Sequence, residues 1–137
     1  MKFTIFLFVF VTLVLAGCKK PVTEPNSGIY RGTFFQIYNE EDTNAQGVVN
    51  LALTKDGFGG SFQVSGDTST GAPYSHYGTY VIDNSVSMTF DNDASVEVGY
   101  QPHYLLDTVY QYTFDDFNFT LELIIDTARY EYKMVRI

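Results

Sequence analysis

The stretch "LLDTVYQYTFDDFNFTLELIIDTARYEYKMVRI", residues 105–137, decides the fold. From Leu105 to Phe114 large apolar side chains fall on every second residue except Thr108, and the pattern resumes over Phe117–Ile125 and Ala128–Arg136. The breaks are Asp115-Asp116 and Asp126-Thr127, short polar pairs of the kind that close tight turns. Period-two alternation is the signature of a half-buried strand. It places Leu106, Tyr110, Tyr112, Phe114, Phe119, Leu121, Leu123, Tyr130, Tyr132 and Met134 inside. Asp107, Gln111, Thr113, Thr120, Glu122, Arg129, Glu131 and Lys133 then line the outside. Strands dry on one face and wet on the other belong to an antiparallel sheet, because buried parallel strands are apolar on both.

The same period runs back through the chain in Gly28–Tyr38, Gly47–Thr54, Phe58–Ser65, Tyr77–Asp83 and Ser85–Phe90, which makes eight runs in all. Their inward sides carry Tyr30, Phe34, Val49, Leu51, Leu53, Phe58, Phe62, Val64, Tyr80, Ile82, Val86, Met88 and Phe90. Arg31, Thr33, Asn50, Ser61, Gln63 and Ser87 face out. The chain has 11 Tyr and 12 Phe, residues that suit a pleated, half-buried surface. The expectation is an all-β domain over 28–137.

Connection lengths choose the topology. Lys55-Asp56-Gly57, Asp83-Asn84 and Asp115-Asp116 are short, whereas 39–46, 66–76 and 91–104 are long. In a meander the long links fall at one end and the short ones at the other, with Asp126-Thr127 as the exception. Crossing connections of a Greek key would mix them. The sorting predicts an eight-stranded antiparallel up-and-down β-barrel, with a β-sandwich as the alternative. Eight strands enclose an interior that side chains fill, or that holds one small ligand. The twelve inward aromatic rings, each burying about 150–250 Å², predict filling over a deep cavity. By parity, Gly28 starts at the short-turn end.

Ahead of the domain, Met1-Lys2 leads into an apolar stretch, Phe3–Gly17, too short to span a bilayer, which takes roughly 20 residues. That is the build of a signal peptide. Leu15-Ala16-Gly17-Cys18 resembles the lipobox of bacterial lipoproteins. The resemblance implies cleavage before Cys18, a diacylglycerol on its sulfur, acylation of the new amino group and anchorage in a membrane. Lys19, where an Asp would mark inner-membrane retention, points to the outer membrane of a bacterial envelope. Residues 18–27 read as an extended, proline-containing tether. Cys18 is the single cysteine, so no disulfide within the chain supports the fold. A formal net charge of −8 disfavours nucleic acid as a partner.

Gly28-Ile29-Tyr30, followed by Gly32 and Phe34, resembles the opening strand of lipocalin-like barrels, and "YGTYVID", "VYQYTF", "FTLELII" and "YEYKMVRI" are similar to the closing strands of small lipocalin-like lipoproteins of Gram-negative bacteria. Lipocalins proper carry a Trp in the opening motif, and this chain has none. The resemblance implies a calycin-type barrel that binds a small apolar molecule. It supplies no catalytic residues.

Two histidines, His76 and His103, fall in long links at the same end, flanked by Tyr74, Tyr77, Tyr100 and Tyr104. Side chains with an apolar body and a polar tip suit a ligand-binding rim, which makes Tyr74, His76, Tyr100, His103 and Tyr104 the candidate site. Two histidines without cysteine or fixed spacing do not make a zinc site. Asp91-Asn92-Asp93 and Glu40-Glu41-Asp42 read as solvated loops and not as calcium sites, since the Gly and distal Glu of a calcium loop are missing. No serine sits in a nucleophile context and no acid is predicted inside, so neither a cofactor nor an enzyme is expected. Two functions remain: binding a small apolar or amphipathic molecule at the long-loop end, or contacting an envelope protein through the loops, as an inhibitor or accessory module.

Overall fold

The computed structural model describes residues 24–39, 42–70, 72–95 and 105–137. Residues 1–23, which hold the expected signal peptide, the lipobox-like run ending at Cys18 and most of the expected tether, lie outside the described residues. Eight strands follow one another: β1 (Gly28–Tyr38), β2 (Asp42–Asp56), β3 (Gly59–Gly66), β4 (His76–Ile82), β5 (Ser87–Asn92), β6 (Val109–Asp115), β7 (Asn118–Ile125) and β8 (Ala128–Arg136). Each pairs antiparallel with the next, and β8 returns to β1, so the sheet is a closed up-and-down barrel and not a sandwich. Closure leaves no sheet edge for other chains to extend.

The bounds of β1 and β8 coincide with the sequence-based runs. β2 does not: it starts at Asp42, and its pairing with β1 continues to Tyr38↔Asp42 across a register shift between Gln36 and Ile37. The expected long link 39–46 is therefore a three-residue connection. The polar run ahead of Gly47 hides the strand because its backbone, and not an apolar face, carries the pairing. Two long connections remain at that end, 67–75, which holds a 3-10 turn at Thr68–Thr70, and 93–108, beside the two-residue Asp126-Thr127 turn.

Four side chains depart from expectation, two in the face they take and two in their burial. Phe58 and Val86, placed inside by alternation, are exposed. Phe58 is the second residue of the Gly57-Phe58 turn, which Gly57 opens at φ 62°. Asn84 Oδ1 accepts the N–H groups of Val86 and Ser87 at 2.9 and 3.0 Å, delaying β5 until Ser87 and leaving Val86 in the link. Ser87 is buried because that link folds back over it, with the Asp83 N–H donating to the Ser87 carbonyl at 3.0 Å. Glu131 stands on the outer wall, yet is buried between its cross-strand neighbours Phe35 and Glu122, with Lys133 Nζ 3.1 Å away.

The remaining inward positions form one core, in which Phe114 and Leu123 are half-buried. Its centre is a chain of rings running across the barrel: Phe62 to Phe90 (5.3 Å between centroids), Phe90 to Tyr110 (5.8 Å), Tyr110 to Tyr132 (6.2 Å) and Tyr132 to Phe34 (4.9 Å). Most meet edge to face, which adds about 0.5–1.5 kcal/mol per pair beyond area burial. The short-turn end is sealed by the last tether residues. Pro25 is buried there, the Tyr30 hydroxyl donates to the Asn26 carbonyl at 2.7 Å, and Arg136 Nη2 donates to the Ser27 carbonyl at 2.9 Å. Parity thus holds: Gly28 starts β1 at the short-turn end, opposite the long connections.

Candidate functional site

The loop end is closed by two apolar segments. Ala72-Pro73 of loop 67–75 is buried across the mouth, admitted by two glycines on the barrel wall. A Cβ on Gly47 would stand 2.4 Å from the Ala72 N, and one on Gly66 would stand 2.8 Å from the Ala72 Cβ. Leu105-Leu106, shortly before β6, is buried as well. An apolar pair inside a long polar link is the signal that would have revealed both plugs, since a buried loop must also satisfy its backbone. Leu106 was expected inside, but as part of a strand; β6 begins at Val109.

Three side chains fasten that second plug. His76 Nε2 lies 3.0 Å from the Leu106 N, the Tyr110 hydroxyl donates to the Leu105 carbonyl at 3.3 Å, and Asp107 Oδ1 accepts the Asn92 N–H at 3.1 Å. The other ring nitrogen of His76, Nδ1, lies 2.7 Å from the Tyr74 carbonyl. An amide N–H only donates and a carbonyl only accepts, so the imidazole is neutral with its proton on Nδ1. Burial holds its pKa below the usual histidine value, opposed by the Tyr74 carbonyl and the Asp107 charge. Burial likewise raises the Tyr110 phenol, helped by Tyr130 and Asp107.

The structure brings Tyr74 and His76 together, but in different roles from those expected. His76 is not a rim residue: it is the first residue of β4, only 2% exposed, and packs edge to face on Phe62 at 5.8 Å. Tyr74 and Tyr77 are 52% and 56% exposed and form the described part of the rim. Tyr100, His103 and Tyr104 lie outside the described residues. Among the described residues no three His, Cys, Asp or Glu side chains converge as a metal site. An open groove of about 530 Å³ runs down the outer wall past Ala52, Thr54, Ser61, Gln63, Tyr77 and Asp93, shallow and polar-rimmed.

Comparison of the chain with protein-family models, curated proteins and solved structures gave no match.

Proposed function

We propose that the protein is a lipid-anchored, lipocalin-like barrel of the bacterial envelope, without catalytic activity, whose working surface is the long-loop end. The observation that carries this reading is the polarity of the barrel. One end is sealed by residues 24–27 on the membrane-tether side, while the other presents the long loops with Tyr74 and Tyr77 at the rim. Loops on a rigid scaffold are where recognition concentrates. The anchor rests on the lipobox ending at Cys18, and outer-membrane placement on Lys19. Both ring nitrogens of His76 are engaged by backbone groups, which removes the buried histidine from general-base duty.

The aromatic chain across the interior favours an envelope protein as the target, because those rings occupy the space a deep guest would need. Exposed tyrosines also suit such contacts. Crosslinking in intact cells tests it: an adduct that disappears on replacing Tyr74 and Tyr77 by Ser supports the reading, and recovery of the uncrosslinked chain under every reagent removes it.

A small apolar or amphipathic guest is the second reading, favoured by Leu105-Leu106. Both are buried at the loop end, Leu105 tied to Tyr110 and Leu106 within the core, where an apolar guest would take their place. Native mass spectrometry of the protein from its own host would reveal a co-purifying ligand; its repeated absence leaves the protein partner alone.

A further inference from the structure

The short-turn end carries apolar side chains at its tips. Phe58 in the β2–β3 turn is 75% exposed and Phe117 in the β6–β7 turn 69%, and Val86 in the β4–β5 link and Ile137 after β8 are also exposed. Each belongs to a backbone held in place by the neighbouring strand. The Phe58 carbonyl accepts the Ile82 N–H at 2.6 Å, that of Val86 accepts Tyr112 N–H at 2.8 Å, and that of Phe117 accepts Arg136 N–H at 2.9 Å. The Ile137 N–H donates to Ile29 at 3.0 Å, completing a circuit of the rim. The two-residue turn at the opposite end carries Thr127 where these hairpins carry Phe. Elsewhere on the wall exposed apolar groups such as Val109 and Ile124 stand on strand flanks, not at tips.

This is also the end at which residues 1–23 join the described barrel. Glu24 Oε2 lies 3.0 Å from Lys55 Nζ, and Ser27 Oγ accepts the Lys55 N–H at 2.8 Å, beside the turn bearing Phe58. Only residues 19–23 separate Glu24 from Cys18. Five residues span at most about 18 Å.

We propose that this rim is a membrane-docking surface, with Phe58, Val86, Phe117 and Ile137 inserted into the headgroup and upper acyl region of the bilayer that holds Cys18. The inference rests on the anchoring reading and adds to it a fixed orientation: the barrel stands on the membrane instead of swinging on its tether. Apolar side chains at an interface bury to about 5–10 Å. The acids at and next to the tips (Asp56, Asp83, Asp115 and Asp116, the last in the turn with Phe117) outnumber Lys55 and Arg136, so the matching surface is zwitterionic and not anionic.

The chain has no Trp, which makes a single introduced indole a clean reporter. The full chain, produced in a host that processes lipoproteins, is reconstituted into phosphatidylcholine vesicles as F58W, F117W or T127W; all three positions are in turns, and circular dichroism verifies folding. Flotation reads the anchor. Quenching by brominated phosphatidylcholine reads the docking. The expected result is that all three float, while F58W and F117W are quenched several-fold more strongly than T127W and emit further to the blue. Flotation with equal quenching at the three positions overturns the docking and leaves the anchor standing. Failure to float overturns the anchor and the docking with it. Indoles of F58W and F117W shielded from an aqueous quencher but untouched by the brominated lipid would mean a protein, or a second copy of the chain, covers the rim, and would also overturn the proposal.

Discussion

His76 Nε2 accepts the main-chain N–H of Leu106 at 3.0 Å, a bond between the first residue of β4 and the end of a long loop thirty positions away in sequence. It ties the mouth of the barrel to the protonation state of one ring. A protonated Nε2 would carry its own hydrogen toward the Leu106 N–H, so protonation breaks the tie.

The resulting pH dependence has a defined sign. The folded pKa of His76 is depressed, so below about 6.5 the unfolded chain binds a proton that the folded chain refuses. Stability contributed by the neutral ring is complete above that value and falls as pH drops from there toward the folded pKa. H76A removes this limb and costs about 1–3 kcal/mol at pH 7, the range for a buried group left without its partner. It keeps a separate loss at lower pH from Asp67 and Asp115, whose carboxyls are held below the usual range by Ser69 and by Asn118. Urea unfolding at pH 7 and pH 5 compares the two chains; an equal loss between those pH values in both would show that His76 is not the sensor.

Closure of the barrel depends on Gly32. A Cβ there would stand 1.8 Å from the Lys133 carbonyl oxygen, in the β1–β8 pairing that completes the ring. Only backbone movement relieves that clash, and G32A is expected to cost about 3 kcal/mol, the upper end for overpacking. G57A is the control: its Cβ meets nothing within 4 Å, and only the positive φ of 62° is unfavourable, at roughly 1–2 kcal/mol. Unfolding midpoints should rank wild type, G57A, G32A in falling order. The reverse order of the two variants would mean that the β1–β8 approach is not tight.

Tyr30 and Asn26 form a two-way pair, the hydroxyl donating to the Asn26 carbonyl at 2.7 Å and accepting its N–H at 3.1 Å. Y30F removes both bonds while keeping the ring against Phe119. The expected cost is about 1–2 kcal/mol, with residues 24–27 becoming cleavable before the barrel. Limited proteolysis followed by mass spectrometry detects it, and an unchanged cleavage order would show that Arg136 and Lys55 hold the segment unaided.

The barrel was readable in the sequence because alternation is enforced wherever one face is dry: every inward residue of β1, β7 and β8 named from alternation belongs to the core or packs against it. The extension of β2 was not readable, since residues ahead of Gly47 are polar and pair through their backbone. Phe58 and Val86 misled for the opposite reason, being apolar but in turns set by Gly57 and Asn84. The candidate site was legible in location and not in chemistry. Nothing local to Tyr74-Ser75-His76 distinguishes a rim histidine from one buried by Leu106, because the contact that buries it comes from a different loop. Burial of a loop is a long-range property, and an apolar pair such as Leu105-Leu106 is its only local trace.

Tyr80 offers the counterpart to Tyr30. Its hydroxyl is buried with no hydrogen-bond partner among the described residues, and its pKa is pushed up to about 12 by burial and by neighbouring Tyr30. An unfulfilled buried hydroxyl destabilises the fold, so Y80F, which deletes the oxygen and keeps the ring against Phe90, is expected to raise stability by about 1 kcal/mol. The two Tyr→Phe substitutions therefore have opposite signs. Alkaline titration supplies an independent measure. With the folded pKa above the unfolded value of 10, Tyr80 causes no pH-dependent loss below pH 10, and stability falls as pH climbs from there toward 12. Y80F should lessen the alkaline loss over that window, leaving the shares due to Tyr30, Tyr110 and Tyr112, whose phenols burial also raises. If Y80F instead lowers the melting temperature at neutral pH, the hydroxyl has a partner, and a buried water bridging it to Tyr30 is the species a neutron or high-resolution structure should find.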